Sequence, residues 1–151
     1  MGVDINFHER FQCVKGEALS LSLIETCPPT KDELPFYWWA ILENASGKAI
    51  GKISLRLGHN YHSYWNGNVG YEIDPSFQGH HYAAMALSMI LPIAKAHGME
   101  RIYLTCDEDN VASYKTIERL GGTLLETAIP PKDYIYYQDN GVKKRVYVIE
   151  L

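Results

Sequence analysis

The chain has 151 residues, 46% hydrophobic and 21% charged, which suits one α/β domain over residues 1–151 with a single core. Its net charge of −4 excludes a surface that tracks nucleic-acid phosphates, since the only basic cluster, Lys143-Lys144-Arg145, reads as a solvated hairpin. No apolar run approaches the ~20 residues of a membrane span, and residues 1–11 lack the order of a secretory signal, so a cytoplasmic location is expected.

Residues 18–25 alternate apolar and polar side chains, the period of a half-buried strand. Prolines 28, 29 and 35 interrupt the chain before Phe36–Leu42, an aromatic and aliphatic run that reads as a strand buried on both faces. A turn at Asn44–Gly47 returns the chain as a third strand from Ala49 to Leu57, so residues 18–57 are expected to form an antiparallel meander. A loop with Gly58, His59, Asn60 and several aromatics leads to a fourth strand over 68–74, which Pro75 ends.

A helix is expected from about Gly79 to His97, with Ala83, Ala86, Leu87, Ile90, Leu91 and Ala94 on one stripe. Pro92 deprives the Ser88 carbonyl of its helical donor, so a kink is expected there, and Gly98 reads as the stop. Arg101–Cys106 is a short strand, which a right-handed crossover makes parallel to the fourth. Asn110 caps a second helix ending near Leu120. Strands over 123–129 and 143–151 follow, the last fed by a tight reversal at Asp139–Gly141.

Strand, helix and strand between Gly67 and Cys106 make one βαβ unit whose helix opens on a glycine and a series of free backbone N–H groups. Such a start attracts phosphate, because the donors point outward and the helix dipole adds partial positive charge. A diphosphate-bearing cofactor follows as the first hypothesis. Three cysteines without metal-ligand spacing, Cys13, Cys27 and Cys106, point to reduced thiols and no metal site.

Gln78-Gly79-His80-His81-Tyr82-Ala83, Tyr71–Pro75 before it, Leu104–Asp107, Asn110 and Ser113–Gly121 together resemble the GNAT superfamily of acyl-CoA-dependent N-acetyltransferases. His81 stands where the family has its central glycine. The resemblance implies a mixed, mostly antiparallel twisted sheet of about six or seven strands, with a central parallel βαβ unit and two main helices. The family's usual first two helices have no room between the first two strands. Either Ile5–Cys13 covers that face or a second subunit does, and a homodimer is expected.

The resemblance also implies acetyl-CoA as cosubstrate. Its pantetheine arm would lie along Tyr71, Glu72 and Ile73. Its pyrophosphate would sit on Gly79, His80, His81, Tyr82, Ala83 and Ala84, with Asn110 meeting the pantetheine amide. The reaction implied is acetyl transfer to a small primary amine by direct attack through a tetrahedral intermediate.

Proton transfer is less defined. Ile117 occupies the place of the family's usual acidic tyrosine, and Tyr114, one turn earlier, is the candidate substitute, with solvent as the alternative. Glu72 is the nearest carboxylate for a base, with His59 and His62 competing. Cys106 has no assigned activating histidine and reads as a small buried thiol. Tyr61–Trp65, Tyr134, Tyr136 and Tyr137 would shape the acceptor site. Two rival functions remain: acetylation of a protein N-terminus or lysine, and a CoA-binding regulatory or interaction module without turnover.

Overall fold

A computed structural model describes residues 2–151. The leucine–serine alternation does form a strand, and it sits inside an antiparallel sheet that follows chain order: β1 (Cys13–Lys15), β2 (Leu19–Cys27), β3 (Phe36–Glu43), β4 (Ala49–Arg56) and β5 (Val69–Ile73). The expected meander is β2 to β4, and the fourth strand of the sequence reading is β5. Register sets Trp39, Ile53 and Tyr71 in one cross-strand row and Tyr37, Leu55 and Val69 in the next, all on one face. Only that face of β3 is fully buried. Phe36, Trp38 and Ala40, on the reverse, are half-buried, because α2 (Tyr82–Ala96) packs on the other side.

Helix α2 begins three residues later than expected, since Gly79 and His81 both hold positive φ, 88° and 61°, which no helical turn accepts. Its buried stripe is Ala86, Leu87, Ile90, Ile93 and Ala94. The helix continues through Pro92 to Ala96; Pro92 and Ser88 are both exposed, so solvent can serve the Ser88 carbonyl. Gly98, at φ 82°, stops it in the left-handed conformation that a side chain would resist.

The remaining strands, β6 (Arg101–Asp107), β7 (Thr123–Ala128) and β8 (Lys144–Glu150), form a separate antiparallel sheet in the order β6-β8-β7. Two expectations need correction here. No ladder joins β5 to β6, so the parallel pairing of the βαβ unit is reduced to its first contact. The link between β7 and β8 is a loop over 129–143, with Asp139–Gly141 one bend of it, and the basic triplet runs into β8 itself.

Two helices complete the fold: α1 (Tyr61–Asn66) and α3 (Val111–Arg119). Helix α1 replaces the expected aromatic loop. Asn60 accepts from Ser63 N while the Ser63 hydroxyl accepts from Asn60 N, a reciprocal cap that starts even a short helix.

Residues 26–34 carry no helix, as the sequence implied. The segment before β1 folds over the Tyr37–Trp39 face instead: Trp39 Nε1 donates to Phe11 O (2.8 Å), and Phe7 and Phe11 pack on the core. It thus lies on the same face as α2 and leaves Phe36, Trp38 and Ala40 on the opposite face.

Candidate functional site

Strands β5 and β6 touch at one end and then part. At the closed end Asn68 N donates to Tyr103 O (2.7 Å), and Tyr103 N donates back to the Asn68 side chain (2.9 Å). A side-chain amide therefore stands where the next ladder bond would be. The Asn68 NH2 group donates to the Arg56 and Gly58 carbonyls, so this fully buried amide is satisfied and fixes the apex of a wedge. Gly67 beside it has φ 81°, and an added Cβ would lie 3.2 Å from Tyr103 O, so the close approach requires glycine.

The wedge opens into a cleft of about 540 Å³ between β5, the start of α2 and α3, within the usual size of small-molecule and cofactor sites. No side chain caps α2. Its first internal bond is Met85 N to His81 O (3.1 Å), so the N–H groups of Tyr82, Ala83 and Ala84 precede the ladder. Small side chains at Gly79, Ala83 and Ala84 leave that backbone accessible from the cleft.

Helix α3 forms the opposite wall. Asn110 accepts from Ser113 N (3.3 Å) and caps it, which leaves the amide NH2 unused by the cap. Ser113 Oγ lies 3.0 Å from the Tyr71 hydroxyl, and burial raises the Tyr71 pKa, so this lining phenol stays protonated. Cys106 behind them is buried and its thiol pKa is also raised by burial, the reverse of what a nucleophilic thiolate needs. Lys115 and Arg119 line the same wall, and Arg119 Nη1 donates to His81 Nδ1 (2.8 Å) across the cleft mouth.

The structure thus brings Tyr71, Glu72, Ile73, Gly79, His81, Tyr82, Ala83, Ala84 and Asn110 around one space. His80 is not among the lining residues; it is exposed, near the Tyr82 ring. Tyr114 does not line the cleft either: its half-buried ring packs on the core under the Arg145 guanidinium, 3.9 Å from its centroid. Ser113, Lys115 and Arg119 escaped the sequence reading, although their spacing at three, five and nine residues after Asn110 was visible.

On the face opposite α2, Arg56 Nη1 donates to Gly67 O (3.2 Å) at the wedge apex. Beside Arg56 lies a narrow pocket walled by Glu33, His62, Ser63 and Tyr136. His62 Nδ1 accepts from Ile135 N (3.2 Å) and its Nε2 lies 3.9 Å from Asp32. His59 is exposed, with its ring edge-on to Tyr103. Glu72 is exposed on the same face, opposite α2, and is paired in register with Lys52. Asp4, His8 and His97 bring ligand atoms within 4.8 Å of one another, but Asp4 O and the Tyr37 hydroxyl already occupy both His97 ring nitrogens.

Comparisons with known proteins agree with this architecture. A GCN5-related N-acetyltransferase from Brucella melitensis superposes with a TM-score of 0.71 at 14% identity, covering 99% of this chain and 81% of that one. The microcin C7 self immunity acetyltransferase MccE, solved with acetyl-CoA and AMP, gives 0.60 at 19% identity, with coverages of 77% and 61%. An acetyl transferase from Salmonella typhimurium that modifies the N-terminal serine of ribosomal protein L7/L12 gives 0.61 at 20%, with 77% and 64%. The chain therefore spans less than two thirds of the length of the latter two. A search of curated proteins finds no match to the chain. Residues 17–123 match the acetyltransferase (GNAT) domain, and the chain belongs to that family.

Proposed function

We propose that the chain transfers the acetyl group of acetyl-CoA to the primary amine of a small molecule. The observation that carries this reading is the cleft between β5, α3 and the uncapped start of α2, on the strand that parts from β6 beyond Asn68. The thioester supplies an activated acyl carbon; the amine forms the new C–N bond, the C–S bond breaks, the ammonium proton goes to a base, and the thiolate takes a proton from an acid.

In this reading the chain's residues divide the work. The backbone of Tyr71–Ile73 pairs with the pantetheine arm, and the N–H groups from Gly79 to Ala84 hold the diphosphate, with His80 at the rim. Asn110 contributes its free NH2 group, and Lys115 and Arg119 face the phosphates from α3. Glu72 is the base, on the face opposite α2. Tyr71 is the acid, a neutral phenol on the cleft wall, with Tyr114 as the alternative.

A second reading has specific support, since one structural neighbour modifies a protein N-terminus. Isothermal titration with acetyl-CoA and CoA tests the cofactor half. Thiol release with a panel of small amines and N-terminal peptides then tests the acceptor. Binding without turnover on any acceptor would leave a CoA-binding module. A cytoplasmic location fits three free cysteines. A homodimer would cover Ile24, Phe36, Trp38 and Ala40, and light scattering showing a monomer at micromolar concentration would remove it.

A further inference from the structure

Lys115 and Arg119 stand one turn apart on α3, and both line the cleft. Like charges at that spacing repel, and no acid offsets them. Among the described residues neither makes an ion pair within 4 Å. Glu118, their neighbour in sequence, is not a lining residue and accepts instead from the Tyr147 hydroxyl (2.6 Å). The one carboxylate that lines the cleft is Glu72, on β5. A chain of net charge −4 thus keeps two uncompensated cations along one wall of its cleft. Arg119 spends one of its five N–H donors on His81 Nδ1 (2.8 Å). That acceptor is an exposed, neutral imidazole nitrogen, and an anionic phosphate oxygen is a stronger partner for a guanidinium.

The path of α3 places the two cations along the cofactor. Ser113 Oγ meets the Tyr71 hydroxyl of β5 (3.0 Å), and six residues later, about 9 Å along the axis, Arg119 meets His81, the residue before α2. The helix therefore runs from the strand that takes the pantetheine arm to the mouth beside the diphosphate. The diphosphate already has the N–H groups of Tyr82, Ala83 and Ala84, which precede the α2 ladder. Beyond it CoA carries a ribose with a 3′-phosphate, a monoester with a charge of about −1.5 to −2 and three acceptor oxygens. A guanidinium fork and an ammonium on one wall match that group in charge and in donors.

Resting on the acetyltransferase reading above, we propose that Lys115 and Arg119 read the 3′-phosphate of CoA. The acyl donor is then the free CoA thioester, and an acyl group on the shorter phosphopantetheine arm of a carrier protein is a poor one. Neither residue exchanges a proton or touches the reacting carbon; together they set which thioester the cleft holds.

Calorimetry at neutral pH with CoA, 3′-dephospho-CoA and 4′-phosphopantetheine tests this. The wild-type chain is expected to bind CoA about fivefold or more tightly than dephospho-CoA, and phosphopantetheine more weakly than either. The preference should shrink as salt rises from about 50 to about 500 mM, because the contact is exposed and screened. R119Q and K115Q should each lower the preference, and the double variant should bring it to about one with affinity for dephospho-CoA held within about twofold. Melting curves establish that the variants fold, and the wild-type preference with its salt dependence stands without them. A wild-type preference below about fivefold would overturn the proposal, as would one that salt leaves unchanged or that the double variant keeps. Equal weakening of CoA and dephospho-CoA in the variants would overturn it too, by assigning the cations to the diphosphate. Failure of all three ligands to bind is a different result, which removes the acetyltransferase reading and the proposal with it.

Discussion

His97 Nε2 lies 2.9 Å from the Tyr37 hydroxyl, and this contact ties the end of α2 to the middle of the sheet. His97 is fully buried; its Nδ1–H donates to Asp4 O (2.7 Å), so Nε2 is the acceptor and Tyr37 the donor. The Tyr37 oxygen in turn accepts from His8 N (2.7 Å), which latches the N-terminal segment over the core. A protonated imidazole would meet an oxygen that already accepts one bond and whose own proton would lose its partner.

The pH dependence follows from that network. Burial, with help from His8 and Arg10, lowers the His97 pKa, while the Asp4 backbone bond opposes it. The native state therefore resists a proton that the unfolded chain accepts near the ordinary pKa of about 6.5. Stability is complete above that value and falls as pH drops from it toward the lower native pKa. Asp4 acts in a separate window: its pKa is lowered to about 2 by the Asn6 N–H and His8, so its share is lost only as pH falls from 3.8 toward about 2. Urea midpoints from pH 7.5 to 5 should decline in the wild type. In H97Q, less stable by about 1–3 kcal/mol through lost buried hydrogen bonds, the decline should be shallower. His59, partly exposed but with its pKa lowered by partial desolvation and the nearby Arg101 charge, supplies the residual slope. Parallel curves would remove His97 as the source.

Asn110 allows capping to be separated from cofactor contact. N110A should lose about 1 kcal/mol of stability with the cap, whereas N110S, which caps equally well, should melt like the wild type. Both lack the NH2 donor that the cap leaves unused, so both should bind CoA about fivefold more weakly, the worth of one net hydrogen bond. Calorimetry and melting curves on the same samples decide it. Wild-type affinity in N110S would leave Asn110 as a cap alone.

The elements legible in the sequence were those whose local chemistry and tertiary role agree. Leu19-Ser20-Leu21 alternates and is a half-buried strand; Asn110 reads as a cap and is one. Misses came where a side chain overrides the backbone pattern. Asn68 takes over the next ladder bond, so the parallel pair that the crossover implies keeps a single backbone contact before its strands part. His81 adopts a left-handed φ, uncommon outside glycine, which moves the start of α2. Asn60 and Ser63 carried a readable capping signal, hidden by an aromatic run that resembled a loop.

His81 therefore makes a test of strain. An L-residue at φ 61° costs about 1–2 kcal/mol, and glycine relieves this at the expense of about 0.5–1 kcal/mol of unfolded-state entropy. The exposed bond from Arg119 Nη1 to His81 Nδ1 contributes little. H81G should be more stable by about 0.5–1 kcal/mol, a rise of a few degrees in Tm. It should also bind CoA more tightly, since Arg119 is freed and the helix start uncovered. A lower Tm in H81G would mean that the Arg119 contact outweighs the strain.

Tyr71 and Tyr114, the two candidate acids, make opposite predictions. Tyr71 lines the cleft with its hydroxyl 3.0 Å from Ser113 Oγ and its pKa raised by burial, so it holds a proton at neutral pH. It can give that proton to a departing thiolate and recover it through Ser113. Tyr114 sits behind the lining with Arg145 over its ring. Y71F should lower kcat by about a hundredfold, the low end of general-acid contributions, with CoA affinity little changed because the ring remains. Y114F should stay within about twofold of the wild type. Rates measured with a better thiol leaving group separate acid catalysis from packing: such a substrate needs less protonation, so it should restore much of the Y71F loss. If Y114F shows the larger defect and the same rescue, the acid is Tyr114, reached by a movement of α3 that brings its hydroxyl into the cleft.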